Sequence, residues 1–168
     1  AIGSGVILGD SHHVVTNQHV IDGASDAELQ VSQAREGETS RVTQATIIYE
    51  DAARDLALLR LDEALGSPIK VARKLPSVGD SLVIGGFPGV GGDTLTVTTG
   101  TVAGFESGGE SIKVDAAIFS GNSGGAALNA SGHLVGIPTK IAIDDGGALG
   151  FLISANLLKG NLTDALLN

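Results

Sequence analysis

Short stretches of apolar and polar residues alternate along this chain, with turn-forming residues between them. Residues 4–8 (SGVIL) are a brief apolar run, and 12–16 (HHVVT) follow a turn at Gly9-Asp10-Ser11. Residues 28–32 (ELQVS) alternate, 42–49 (VTQATIIY) are rich in β-branched side chains, and 55–61 (DLALLRL) alternate with an apolar excess. Strands at this spacing, separated by turn chemistry, predict an all-β barrel or sandwich. Residues 62–80 break the rhythm with Gly66, Pro68, Pro76, Gly79 and mixed charge, and read as a connection between two halves. Strands resume at 81–85, 94–104, 111–116, 133–137 and 147–153. Ser154 then stands where it would cap a short helix, ahead of a leucine-rich tail to Asn168. No repeat of fixed period is visible.

Composition narrows the class. The 168 residues suit one ordinary domain or two very small halves. Hydrophobic residues at 42% and charged residues at 17% are globular proportions, not disordered ones. The 25 glycines are scattered, as strands joined by tight turns require. With four Phe, one Tyr and no Trp, the core must be aliphatic. The absence of Cys excludes a disulfide scaffold, cysteine catalysis and thiolate metal ligation. A net charge of −9 argues against nucleic acid as a partner, because phosphate neutralisation needs clustered Lys and Arg. No apolar run approaches the roughly 20 residues that span a bilayer, so membrane insertion by this segment is not expected. No signal peptide is legible, and the strand-like opening suits a domain trimmed from a longer chain.

The strongest local signal is Phe119-Ser120-Gly121-Asn122-Ser123-Gly124-Gly125. A serine hydroxyl needs a neighbouring base to act as a nucleophile. It also needs a tight turn whose backbone N–H groups face a developing oxyanion, and flanking glycines permit such a turn. The plain alternative is a surface turn, for which Gly-Asn-Ser-Gly is ordinary material. The same residues fit G-x-S-x-G, the nucleophile elbow of α/β-hydrolases. That elbow requires a following helix and the order Ser, acid, His. Here a glycine-led segment follows, and His133 precedes Asp144 and Asp145, so the order is wrong.

The base must then lie upstream. His19 follows the apolar run Val14-Val15-Thr16, where a rigid strand end would hold it at a cleft. His12 and His13 adjoin a turn and read as surface residues. A strand sends adjacent side chains to opposite faces, so this pair is not expected to hold a metal. Asp55 leads into the apolar run Leu56-Ala57-Leu58-Leu59, at the edge of a core, with Asp51 as the competing acid. Burial against His19 would fix the ring's tautomer and stabilise its protonated form. A neutral imidazole base predicts activity that rises with pH as the ring loses its proton.

The residues together resemble the trypsin-like serine peptidases of the HtrA or DegP type. Gly3-Ser4-Gly5-Val6-Ile7-Leu8 resembles the opening strand, and Thr16-Asn17-Gln18-His19-Val20 the histidine motif. Asp55-Leu56-Ala57-Leu58 resembles the aspartate motif, and Asp115-Ala116-Ala117-Ile118 through Gly125 the serine motif. Leu134-Val135-Gly136-Ile137 and Gly150-Phe151-Leu152-Ile153 resemble the closing strands. The resemblance implies two six-stranded antiparallel β-barrels with a short C-terminal helix. Within a single domain, 1–61 would be the first barrel, 62–80 the connection, 81–153 the second barrel and 154–168 the helix and tail. It implies a serine endopeptidase acting on proteins or peptides without a cofactor or metal, in a periplasmic or secreted setting. His19 would be the base, Asp55 its orienting acid and Ser123 the nucleophile, with the N–H groups of Gly121 and Ser123 as the oxyanion hole.

The substrate pocket implied by alignment is lined by Ala117, Ile118, Ile137, Pro138, Thr139 and Ile141. None is acidic, so a small or medium aliphatic P1 residue is expected. Pro138 stands where glutamyl-specific relatives carry His, and Thr139 is placed to support Asp55. Two departures stand out. Ala126 replaces the Pro that often follows the serine motif, and no length remains for the PDZ domain that such enzymes usually carry. A trypsin-fold binding or chaperone module is the rival reading, against which all three triad members count.

Overall fold

The computed structural model describes residues 3–26, 29–33, 41–87, 94–119, 121–144 and 147–159. The first half contains β1 (Val6–Leu8), β2 (His13–Thr16), a one-turn helix α1 (Gln18–Ile21), β3 (Gln30–Gln33), β4 (Arg41–Asp51) and β5 (Leu56–Leu61). The second contains β6 (Ser81–Gly86), β7 (Thr96–Glu106), β8 (Ser111–Asp115), β9 (Ala126–Leu128), β10 (Leu134–Asp144) and β11 (Gly147–Ser154). The second half closes into a six-stranded barrel in the order β10-β11-β8-β7-β6-β9. The first half is a five-stranded sheet in the order β1-β2-β5-β4-β3, a half-barrel among the described residues. The double-barrel architecture is therefore present, with one lobe closed and the other a half-barrel among the described residues.

The apolar excess of 55–61 has a direct cause. β5 is the central strand of the first sheet, paired with both β2 and β4, and both its faces are buried. Successive side chains alternate between two cores. Ala57, Leu59 and Leu61 join the first lobe's own core with Val14, Ile21, Ala45 and Leu65. Leu56 and Leu58 turn the other way, with Val6, Leu8 and Val15, onto Leu134, Ile137, Ile153 and Leu158 of the second lobe. This second core lies between the lobes, where each fully buried Leu stabilises by roughly 1.5–3 kcal/mol.

The connection is more ordered than its composition suggests. The Ile69 N–H donates to the Ile7 carbonyl (2.9 Å). Lys70 and Ala72 bracket Leu134 through two bonds of 2.8 Å, so this segment is stitched to β1 and to β10 at once. Two strands differ from the sequence reading. β9 was not expected, because three residues dominated by Ala carry no β-branched signal. β10 runs well past residue 137, through Pro138, because a register shift between Pro138 and Lys140 accommodates the proline. Ser154 ends β11 and its hydroxyl accepts the Asn156 N–H (3.3 Å), capping a 3-10 helix over Ala155–Lys159. Glu28 and the tail from residue 160 lie outside the described residues.

Candidate active site

His19 sits on α1, directly after β2 ends at Thr16. The turn into the helix is held by Asn17, which is fully buried and whose side-chain N–H donates to the Asp55 carbonyl (3.0 Å). Asp55 lies just before β5, not within it, and takes φ of 56°. A left-handed backbone costs an L-residue roughly 1–2 kcal/mol, least for Asn, Asp and Gly. Four contacts to the carboxylate offset that strain. The His19 backbone N–H donates to Oδ1 (2.9 Å). The His19 ring approaches through Nδ1, 2.8 Å from Oδ2 and 3.0 Å from Oδ1. The Thr139 hydroxyl donates to Oδ2 (2.6 Å) from the far lobe. A carboxylate only accepts, so the ring carries a proton on Nδ1 and leaves Nε2 free to act as a base. Asp51 is engaged elsewhere, bound to the Arg54 backbone and guanidinium (3.0 and 3.1 Å), which removes it as the competing acid.

Ser123 lies on the turn between β8 and β9. Gly121 and Gly124 flank it with φ of 95° and 82°, both in the region that glycine enters freely. A Cβ on Gly124 would collide with the Ser4 carbonyl and the Thr16 hydroxyl, so alanine is excluded there twice over. The Asn122 N–H donates to the Phe119 carbonyl and the Gly124 N–H to the Pro138 carbonyl, each at 3.0 Å. The N–H groups of Gly121 and Ser123 donate to no acceptor among the described residues. The Asn122 side chain is fully buried behind the turn, with no partner there for its oxygen or nitrogen. The Ser123 hydroxyl donates to the Thr139 carbonyl (3.3 Å), and no hydrogen bond joins it to His19.

Thr139 thus touches both halves of the site, Asp55 through its side chain and Ser123 through its carbonyl. The remaining pocket candidates divide. Ala117 and Ile141 are exposed. Ile118 is withdrawn into the second lobe's core, where it lies against Gly150. Ile137 is wholly enclosed in the core between the lobes, and Pro138 is buried, so neither presents a side chain to a ligand. Alignment alone could not separate wall from core here, because β10 alternates its faces through a register shift. Ser120 lies outside the described residues. Sequence reasoning quoted Ser4 and Asn17 only as parts of motifs and assigned them no role, although both are buried polar residues. Among the described residues no group of three His, Asp or Glu side chains is placed to hold a metal ion.

Residues 3–137 match the family model described as a trypsin-like peptidase domain. The chain is 40% identical to a probable periplasmic serine endoprotease, DegP-like, of Buchnera aphidicola subsp. Schizaphis graminum, an alignment covering 99% of this chain and 35% of that protein. It is 38% identical to the periplasmic serine endoprotease DegP of Escherichia coli, covering 99% of this chain and 36% of that protein. The chain therefore spans about a third of the length of these curated relatives. Among solved structures, the serine endoprotease from Yersinia pestis superposes with a TM-score of 0.80 at 32% identity, over 99% of this chain and 58% of that one. The HtrA-type protease AlgW with decapeptide gives 0.78 at 31%, over 99% and 51%. With a family match over most of its length and a fold to accord with it, the chain belongs to the trypsin-like peptidase domain family.

Proposed function

We propose that this domain is a serine endopeptidase in which His19, Asp55 and Ser123 act as a triad. The observation that carries the reading is the Asp55 carboxylate, held by His19 from its own lobe and by Thr139 from the other. This arrangement leaves His19 Nε2 as the free basic atom. In the reaction, Ser123 Oγ attacks the peptide carbonyl while its proton passes to Nε2. The carbonyl oxygen becomes an oxyanion against the N–H groups of Gly121 and Ser123. Collapse expels the amine, which takes the proton from His19, and water then hydrolyses the acyl-serine by the same route. The Ser123 hydroxyl must first turn from the Thr139 carbonyl toward His19. Such nucleophile–base bonds are commonly loose before substrate binds and tighten in the complex.

Substrates on this reading are proteins or peptides, consistent with a solved relative that is described with a decapeptide. Relatives named as periplasmic support an extracytoplasmic setting. The test is intact mass after treatment with a fluorophosphonate, on wild type and Ser123→Ala. One adduct on wild type alone is the expected result. A folded wild type that takes no adduct would put a binding module in place of the enzyme.

The P1 preference proposed is for small or medium aliphatic residues such as Val, Ala or Leu. Ala117 and Ile141, the exposed pocket candidates, would give it small, aliphatic and uncharged walls. A cleavage profile over a peptide library should centre on those residues, and one dominated by Arg or Glu would refute it.

A further inference from the structure

We propose that Ser4 is a positioning residue that sets the oxyanion turn from the opposite lobe; this rests on the peptidase reading. Ser4 precedes β1, is 6% exposed, and spends every polar atom it has. Its N–H donates to the Ser123 carbonyl (3.0 Å). Its hydroxyl accepts the Phe87 N–H (2.7 Å) and donates to the Gly121 carbonyl (2.6 Å). Its own carbonyl accepts the Thr16 hydroxyl (2.6 Å). With the Phe87 N–H bound to its oxygen, the single hydroxyl proton of Ser4 is directed at Gly121.

A peptide unit is planar, so holding its carbonyl and its N–H fixes the whole plane. In the plane joining Gly121 to Asn122, the carbonyl is held by the Ser4 hydroxyl and the N–H by the Phe119 carbonyl (3.0 Å). In the plane joining Ser123 to Gly124, the carbonyl is held by the Ser4 N–H and the N–H by the Pro138 carbonyl (3.0 Å). The N–H groups of Gly121 and Ser123, which donate to no acceptor among the described residues, adjoin these clamped planes. Ser4 supplies the carbonyl partner of both. Gly121 has no Cβ and little intrinsic preference for φ of 95°, so the turn needs such an external clamp. The glycines around Ser4 make room for it. A Cβ on Gly86 would sit 3.0 Å from the Ser4 hydroxyl and 2.9 Å from Asn122.

Ser4 touches no reacting atom, so its loss should misaim the donors and leave the His19–Asp55 pair intact. The experiment measures fluorophosphonate labelling rates and affinity for a peptidyl boronate, whose adduct is tetrahedral, on wild type, Ser4→Ala and Ser4→Cys. Donors displaced by about an ångström typically lose ~100-fold in rate. Ser4→Ala should therefore label roughly 10- to 100-fold more slowly and bind the boronate more weakly by a similar factor. The shape of its pH–rate profile should be unchanged. Ser4→Cys keeps the size and a weak S–H donor, and should fall between the two. Labelling of folded Ser4→Ala within about twofold of wild type would overturn the proposal, as would a loss accompanied by an altered pH profile. Should Ser4→Ala not fold, a folded Ser4→Cys that labels at the wild-type rate overturns it equally. A wild type that does not label removes the peptidase reading and this role together, whereas normal labelling of both chains removes Ser4 alone.

Discussion

Among the described residues of the first lobe are two histidine–aspartate pairs whose bonds are almost the same length. His13 Nδ1 lies 2.6 Å from Asp10, and His19 Nδ1 lies 2.8 Å from Asp55. What separates them is the rest of each carboxylate's environment. Asp10 and His13 are three residues apart on one turn, and the Asp10 side chain is 59% exposed. Its other partner is the His12 N–H of the same turn. Asp55 is 36 residues from His19 and 84 from Thr139, so its partners come from two lobes. A local pair needs only a turn, whereas the distant pair needs the folded molecule. The distant pair also connects to Ser123 through Thr139, which bonds to both Asp55 and Ser123, a link the local pair lacks among the described residues.

The largest break in this comparison is Asp55→Asn. The new amide can offer an N–H to the His19 ring, favouring the tautomer with its proton on Nε2, where a base is required. We expect kcat/KM to fall ~1,000- to 10,000-fold with the fold retained, measured by peptide hydrolysis and circular dichroism. A loss under tenfold would mean that the Asp55 bond does not orient the base.

How much of this was legible beforehand differs by kind of interaction. His19, Asp55 and Ser123 could be named as candidates because each stands beside a strong local pattern, an apolar strand or a glycine-rich turn. β5 was legible because burial on both faces leaves a continuous apolar run. Ser4 was read only as part of an opening strand, since four bonds to Gly121, Ser123, Thr16 and Phe87 leave no trace in its neighbours. The double barrel was legible from the two runs of short strands on either side of residues 62–80, and the order in which those strands pair was not, because pairing depends on how edge strands meet and not on patterning within them. Ile137 was placed in a pocket wall and lies in the core between the lobes, since the face of an apolar residue in a bulged strand cannot be counted from its neighbours.

Thr139 sharpens the comparison with a smaller effect. It is the third partner that Asp10 lacks, and Thr139→Val removes its hydroxyl at nearly constant volume. A hydrogen bond to a charged group contributes about 1.5–3 kcal/mol, but Asp55 keeps three contacts from His19. We expect kcat to fall about tenfold, with KM nearly unchanged and Thr139→Ser restoring most of the rate. An effect on KM alone would mark Thr139 as part of the substrate wall instead.

The smallest effect is expected at the local pair, although its histidine–aspartate bond is the shorter of the two. The His13 ring beside Asp10, and then the His12 N–H, hold its carboxyl below the usual carboxylate range. A depressed folded value means that the contribution to stability is full above the unfolded value, about 3.9, and is lost as pH falls through the folded one. The Asp10 carboxylate is mostly exposed and screened, so that contribution is at most about 1 kcal/mol. Asp10→Asn should therefore lower the melting midpoint by no more than ~4 °C at pH 7, and by progressively less as the pH falls through the depressed folded value. Peptide hydrolysis should stay within about twofold of wild type across the pH range, because no bond links this turn to Asp55 or Ser123. If Asp10→Asn instead slowed hydrolysis as much as Thr139→Val, the first lobe would couple its two pairs, and the span between lobes would not be what distinguishes them.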